Sequence, residues 1–167
     1  MDTMDEKKII ARLYNGWREA KNKAERTARL EGDMLLARRL RACNVFTGEE
    51  TTLAEVIAKL HSVEGLEFLL LSGFPSLELF REYKEALPEG CGVYVDAGEI
   101  NLHDTLDAIL VGDTQVKATY EQTECHNLTA VYGATANVDA FEWSIVRPRY
   151  DEASKIEVRR HDSAIIL

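Results

Sequence analysis

No run of apolar residues in this 167-residue chain approaches the roughly 18 needed to cross a membrane as a helix, and residues 1 to 12 lack the apolar core of a secretory leader. The expected location is therefore cytoplasmic. Cysteine is scarce as well: Cys43, Cys91 and Cys125 are odd in number and far apart, which argues against a disulfide scaffold and suits a reducing compartment. Cys125-His126, His103 and His161 have neither CxxC nor HxxxH spacing, so no metal and no cofactor is expected. Also missing are the GxSxG elbow, the P-loop, HExxH and a GxGxxG following a strand. These absences remove the motif-bearing routes to hydrolysis, nucleotide binding and metal catalysis, and no catalytic residue is assigned from sequence.

What is present begins with a hydrophobic share of 46%, sufficient at this length for one well-packed domain or two tightly joined halves. Charge is unevenly placed. Residues 1 to 42 hold 11 Lys and Arg against 7 Asp and Glu, whereas residues 43 to 167 hold 9 against 22, within a net charge of −9. The acidic body repels nucleic acid over most of its surface and suits a basic partner.

From Val95 to Leu167 one short pattern returns four times: Val95-Asp96-Ala97, Val116-Lys117-Ala118, Val138-Asp139-Ala140 and Val158-Arg159-Arg160, with the valines 21, 22 and 20 residues apart. Leu102 and Ile109 follow Val95 at intervals of 7, and Ile145 and Ile165 follow Val138 and Val158 by 7. A period near 20 marks stacked units, each too small to bury its own apolar face. Seven-residue spacing also suits a coiled coil, but Gly98, Gly112 and Gly133, the Val, Ile, Thr and Ala content, and the local alternation decide for strands. Three strands of about 5 residues with tight corners fill about 21 residues, so each repeat is predicted to be one turn of a β-solenoid. The predicted inner faces hold Val95, Val116, Val138 and Val158; then Leu102, Thr123, Ile145 and Ile165; then Ile109 and Val131, with a bulge or longer corner between Val116 and Val131.

The fold class is thus α+β: an α-helical segment over residues 1–90, basic over 1–42 and with core helices over 53–87, followed at 91–167 by a solenoid of about four turns packed against it. The alternative is a β-sandwich or barrel built of the same strands. One residue after each stacked valine stand Asp96, Lys117, Asp139 and Arg159, which alternate in sign. Stacked strands lie about 4.8 Å apart, so these residues are predicted to form a structural charge ladder. Its functional counterpart is a charged flank of the kind a carbohydrate-active enzyme would use. Asp96 and Glu99 near His103, joined by Asp104 and Asp107, form a further acid/base grouping, read here as corner and cap residues of outward turns.

The first segment predicts a long amphipathic helix, with Thr3 and Glu6 as a capping box and Ile9, Leu13, Trp17, Ala20 and Ala24 on one face. Glu31-Gly32-Asp33 ends or kinks it before a second helical piece, Met34 to Arg41, which carries Arg38, Arg39 and Arg41. Those arginines are candidates for phosphate or an acidic partner, although the aromatic interleaving and glycine loop of a nucleic-acid site are missing. Thr52 and Glu55 form a second capping box for a helix from Leu53 to about Leu60. The helical stretch from Val63 to Leu71 that follows has no Arg, Lys, Asn or Gln to read a base, so a helix-turn-helix is rejected for a core helix. Gly73 stops it and Pro75 opens the next helix, whose face of Leu77, Phe80, Lys84 and Leu87 runs to Pro88-Glu89-Gly90.

The runs Gly73-Phe74-Pro75-Ser76-Leu77-Glu78-Leu79-Phe80-Arg81-Glu82 and Gly92-Val93-Tyr94-Val95-Asp96-Ala97-Gly98-Glu99-Ile100, with Tyr132 to Val138 and Trp143 to Val146, carry a resemblance. Over residues 63–167 the chain resembles small, functionally uncharacterised proteins of gut bacteria and their phages and mobile elements. The resemblance implies a cytosolic accessory protein of mobile-element setting; it supplies no activity and no site residue. The apolar end Ala164-Ile165-Ile166-Leu167 has no polar cap, which makes Ile165, Ile166 and Leu167 candidates for self-assembly. The function expected is a non-enzymatic interaction or assembly protein whose partners are itself and a protein, in particular a basic nucleic-acid-directed defence protein that it inhibits. Direct nucleic-acid or membrane binding is not expected. The alternatives are a carbohydrate-active enzyme using the charged flank and a small nucleotide-binding protein using Arg38, Arg39 and Arg41.

Overall fold

The structure is a computed structural model that describes residues 3 to 167, with the side chains of Thr3 and Met4 outside the described set. Its helices are α1 (Thr3–Leu30), α2 (Met34–Ala42), α3 (Leu53–His61), α4 (Val63–Ser72) and α5 (Leu77–Tyr83), the last followed by a 3-10 turn over Lys84–Ala86. Nine strands follow among the described residues. The chain divides into two compact units, one running up to Leu79 and taking in Glu85–Glu89, the other made of Phe80–Lys84 and Gly90–Leu167.

In the helical unit, residues three and four apart bring Ile10, Leu13 and Trp17 of α1 to one buried stripe. Trp17 is the hub, with the rings of Tyr14, Phe46 and Phe68 at 5.8, 5.7 and 6.3 Å. Asp33 ends the α1–α2 turn by accepting a bond from Leu36 N at 2.9 Å, so it caps α2. The capping box read at the start of α1 involves Thr3, which lies outside the described side chains; Glu6 instead accepts a bond from Leu53 N at 2.7 Å, at the head of α3. There Thr52 and Glu55 form the predicted box. Only Ser62 separates α3 from α4, and its hydroxyl accepts from Gly65 N at 3.1 Å. Leu66, Phe68 and Leu69 are buried, as a core helix requires, and Gly73 ends α4 in the left-handed region. Pro75 does not open the next helix. That start falls at Leu77, after Ser76, whose Oγ accepts from Leu79 N at 3.3 Å.

The second unit is a parallel β-solenoid. Its strands are β1 (Val93–Val95), β2 (Gly98–His103), β3 (Asp107–Val111), β4 (Thr114–Tyr120), β5 (Cys125–Val131), β6 (Thr135–Ala140), β7 (Ile145–Tyr150), β8 (Lys155–Arg160) and β9 (Ile165–Ile166). The odd strands form one sheet in the order β1-β3-β5-β7-β9 and the even strands another in the order β2-β4-β6-β8. Each turn of the coil therefore has two faces, not the three predicted. The register steps by 16 residues at the first turn, from Val93 to Ile109, and by 20 thereafter, as from Ile109 to Thr129 and Ile145 to Ile165.

This step corrects the predicted valine stack. Val138 and Val158 are in register, but the column they belong to continues through Ala118 and Leu102. Val116 stands in the neighbouring column, with Ile100, Ala136 and Ile156. Val95 belongs to the odd sheet and pairs with Val111, which pairs in turn with Val131. Ile145 and Ile165 are in register as predicted, whereas Thr123 lies in the corner between β4 and β5 and Leu102 in the even sheet. The core between the sheets is made of Leu110, Leu128, Ala130 and Val146 from one side and Val116, Ala118, Tyr120, Ala136 and Val138 from the other. The columns mix large and small residues, as in Ile100, Val116, Ala136 and Ile156, and side chains from the two sheets together fill the gap between them.

Candidate functional site

Corners close each turn, and several are built on an aspartate in the left-handed region, where a short side chain can bond the next coil. Asp96 has φ 43° and its Oδ1 accepts from Asp113 N at 2.8 Å; Asp104 has φ 46° and accepts from Glu121 N and Gln122 N at 2.7 and 3.0 Å. Asp96 is also gripped by Arg81, at 2.7 and 3.1 Å, and the guanidinium with the Asp113 amide outweighs burial to hold its carboxyl down at about 2. Asp107 accepts from the side-chain amide of Asn127 at 2.9 Å. Of the acid/base grouping read from sequence, only Asp104 meets His103; Asp96, at the other end of β2, tacks coils together.

The charge ladder is reduced to one rung. Asp139 and Arg159 are in register, with Arg159 Nη2 2.8 Å from Asp139 Oδ2. Lys117 is in line with Asn101, Asn137 and Glu157, and Asp96 lies outside the strands. A richer line runs along the far end of the even sheet. His103, Thr119, Asp139 and Arg159 are in register there, and the next residues bring Glu121, Phe141 and His161 alongside. His161 stacks flat on Phe141 at 4.3 Å and its Nε2 lies 2.9 Å from Asp139 Oδ1. That bond, with Arg159, holds Asp139 below the usual carboxylate range against the effect of burial. His103 faces Asp104 through Nδ1 at 3.1 Å and Glu121 through Nε2 at 3.5 Å. Burial pushes Asp104 up, but the Glu121 and Gln122 amides and the two nearby histidines carry it below its ordinary value.

His103, Asp104 and Glu121 are the one group of three potential metal ligands found among the described residues, their donor atoms lying within 4.8 Å of one another. Each nitrogen of the His103 ring faces a carboxylate oxygen. The histidines named with Cys125 in the sequence do not share a site. His126 is fully buried, stacked on Tyr120 at 4.2 Å, with Nδ1 3.0 Å from Thr105 O and Nε2 3.3 Å from Gln122 O. All three cysteines are free thiols.

The strip is open to water, with His103 64% and Arg159 72% exposed at the side chain. An exposed ion pair contributes little, so Asp139→Ala is expected to change stability by less than about 1 kcal/mol, measured by urea unfolding. A loss several times larger would mean that the strip holds the coil together.

A different surface lies in the helical unit. An apolar groove of about 690 Å³ opens between α2 and α4, lined by Leu36, Leu40, Cys43, Phe68, Leu70 and Leu71, with Arg39 and Glu67 meeting at its rim at 3.6 Å. Arg41 lies 3.6 Å from Glu25. The candidate arginines Arg38, Arg39 and Arg41 are all exposed, and two of them are engaged by carboxylates of their own unit. Ile165, Ile166 and Leu167 are exposed at the last strand of the odd sheet.

Sequence reading missed Glu121 and Phe141, which the 20-residue step relates to one another and to His161. It missed the groove too, although a nine-residue α2 holding Met34, Leu35, Leu36 and Leu40 has more apolar surface than one buried stripe uses. No helix among the described residues is long and apolar enough to cross a membrane. No family model, curated protein or solved structure matches the chain.

Proposed function

We propose that the chain is a non-enzymatic protein-interaction protein that docks through the α2–α4 groove. The observation that supports this reading is that concavity and reactive side chains lie in different units. The groove is apolar. The carboxylate–histidine strip belongs to the solenoid and is exposed, where charges are screened and reacting groups are not shielded from water. An apolar groove with a polar rim is the usual form of a protein-docking site. The setting proposed is the cytoplasm, as an accessory protein of a phage or mobile element. Its acidic body suits a basic nucleic-acid-directed defence protein, held and inhibited through complementary charge.

A photo-crosslinking residue at position 71, on the groove, is expected to give one discrete adduct in the native host. The same residue at position 137, on the outer face of the even sheet, gives none. The adduct disappears in a Glu64→Arg, Glu67→Arg background. Equal labelling at both positions would remove the groove as the docking face. Turnover of a polysaccharide that Asp139→Asn abolishes would replace the reading with a carbohydrate-active enzyme.

A further inference from the structure

Two histidine–carboxylate pairs lie along the even sheet, and the first of them has the chemistry of a metal centre, whether or not the docking reading holds. We infer that His103 and Glu121, with Asp104 behind the ring, hold one divalent transition-metal ion. The coil brings these residues together. His103 ends β2, Asp104 turns the corner after it, and Glu121 follows β4, two positions beyond the Thr119 that is in register with His103. Ligands supplied by neighbouring coils leave no HxxxH or CxxC spacing in the sequence.

Asp104 is fixed in place by the backbone. Its Oδ1 accepts from the Glu121 and Gln122 amides at 2.7 and 3.0 Å, and its Oδ2 lies 3.1 Å from His103 Nδ1. A neutral imidazole carries one N–H, so one ring nitrogen donates and the other presents a lone pair. The nearer contact is the hydrogen bond, from Nδ1 to Asp104, which is how a carboxylate orients a metal-bound histidine. Nε2 is then left with its lone pair facing Glu121 Oε2 at 3.5 Å, acceptor against acceptor. Bonds of about 2.1 Å to one tetrahedral ion set two ligands about 3.4 Å apart, so a cation between these atoms turns the opposition into coordination.

Charge and donor type select the ion. Two carboxylates beside a neutral ring give the site two negative charges, and among the described residues neither Asp104 nor Glu121 makes an ion pair with Lys or Arg. The other pair, His161 with Asp139, has the same groups, but Arg159 Nη2 stands 2.8 Å from Asp139 Oδ2 and repels a cation. An imidazole nitrogen beside carboxylate oxygens suits ions from Mn2+ to Zn2+ over Mg2+ and Ca2+, which take oxygen alone. His103 and Glu121 are exposed, so water completes the shell, and the ion ties the corner after β2 to the corner after β4.

Mn2+ is the probe of choice, because the free thiols of this chain compete for the softer Zn2+. In NMR spectra of the full chain, a small amount of Mn2+ is expected to broaden the amides of His103, Glu121 and Gln122 first, and electron paramagnetic resonance to count one bound ion per chain. His103→Ala and Glu121→Gln each weaken binding by at least about tenfold, the loss that removing even a supporting partner of a ligand produces. Both positions are exposed, and unchanged circular dichroism checks folding. His161→Ala and Asp139→Asn leave the affinity as it was, and a large excess of Mg2+ does not displace Mn2+. Broadening spread over the whole acidic surface, or equal competition by Mg2+, would reduce the effect to charge screening and overturn the site. Binding that survives His103→Ala would overturn it as well, by placing the ion on other ligands.

Discussion

Replacing Gly65 with alanine is expected to destabilise the helical unit by about 3 kcal/mol, although glycine-to-alanine inside a helix ordinarily gains about 1 kcal/mol. The reason is the one-residue junction between α3 and α4. A Cβ at position 65 would sit 2.3 Å from Lys59 O and 2.6 Å from Leu60 O, both backbone atoms at the end of α3. Backbone cannot swing aside as a side-chain tip does, so relief requires α4 to move away from α3. That movement strips contacts from Leu66, Phe68 and Leu69 and releases the bond from Gly65 N to Ser62 Oγ. The two tryptophans fall one in each unit, so in a Trp143→Phe background Trp17 fluorescence reports the helical unit alone. Urea unfolding of Gly65→Ala should show the loss, with exposed Glu64→Ala close to neutral. A Gly65→Ala protein as stable as the parent would mean that the helices do not approach so closely.

The second large effect is a pH dependence anchored on Glu50. This side chain is buried in the α2–α3 connection and accepts from Thr47 N at 2.8 Å, Thr47 Oγ1 at 3.1 Å and Gly48 N at 2.9 Å, with the Lys59 ammonium against it. Burial alone pushes the carboxyl up; Lys59 and the loop amides outweigh it and bring it from an ordinary 4.5 down to about 2. A depressed value in the folded chain means stabilisation that is present above the ordinary value and lost as pH falls towards the folded one. The amount is roughly 3 kcal/mol at neutral pH, draining between about pH 4.5 and 2. Glu50→Gln should therefore be less stable than the parent by about that much at pH 7, and the gap should close on acidification. A gap that is already absent at neutral pH, or that persists unchanged to pH 2.5, would show that the carboxylate does not organise the loop. Asp96, held down at about 2 by Arg81, adds an acid-sensitive contact in the solenoid, which is why the difference between the two proteins is the quantity to follow.

The architecture was legible in the sequence because a period near 20 survives any mixture of apolar residues, whereas the phase did not survive. The inner columns read Ile100, Val116, Ala136, Ile156 and Leu102, Ala118, Val138, Val158, so a volume lost on one rung is regained on another. Valine is simply the residue that fits most places in such a gap, and following it joined two columns and both sheets into one false stack. The error propagated to the charge ladder, of which Asp139 and Arg159 remain because they alone among its members are themselves 20 residues apart on neighbouring coils. Helix boundaries fared better at α2 and α3, where Asp33, Thr52 and Glu55 cap by short-range bonds that sequence spacing encodes. The groove was invisible because its walls, Leu40 and Phe68, are 28 positions apart and meet only through tertiary packing.

The constancy of the step after the first turn makes the coil extensible. A duplicated stretch of 20 residues, such as 125 to 144, presents the same edge to its neighbours as the original and can be threaded between existing rungs without disturbing either sheet. Lengthening by any odd number within a strand would instead turn the oily side of that rung outwards. Relatives of this chain should thus differ in height by whole turns, and the protein can be grown like a column, one drum at a time.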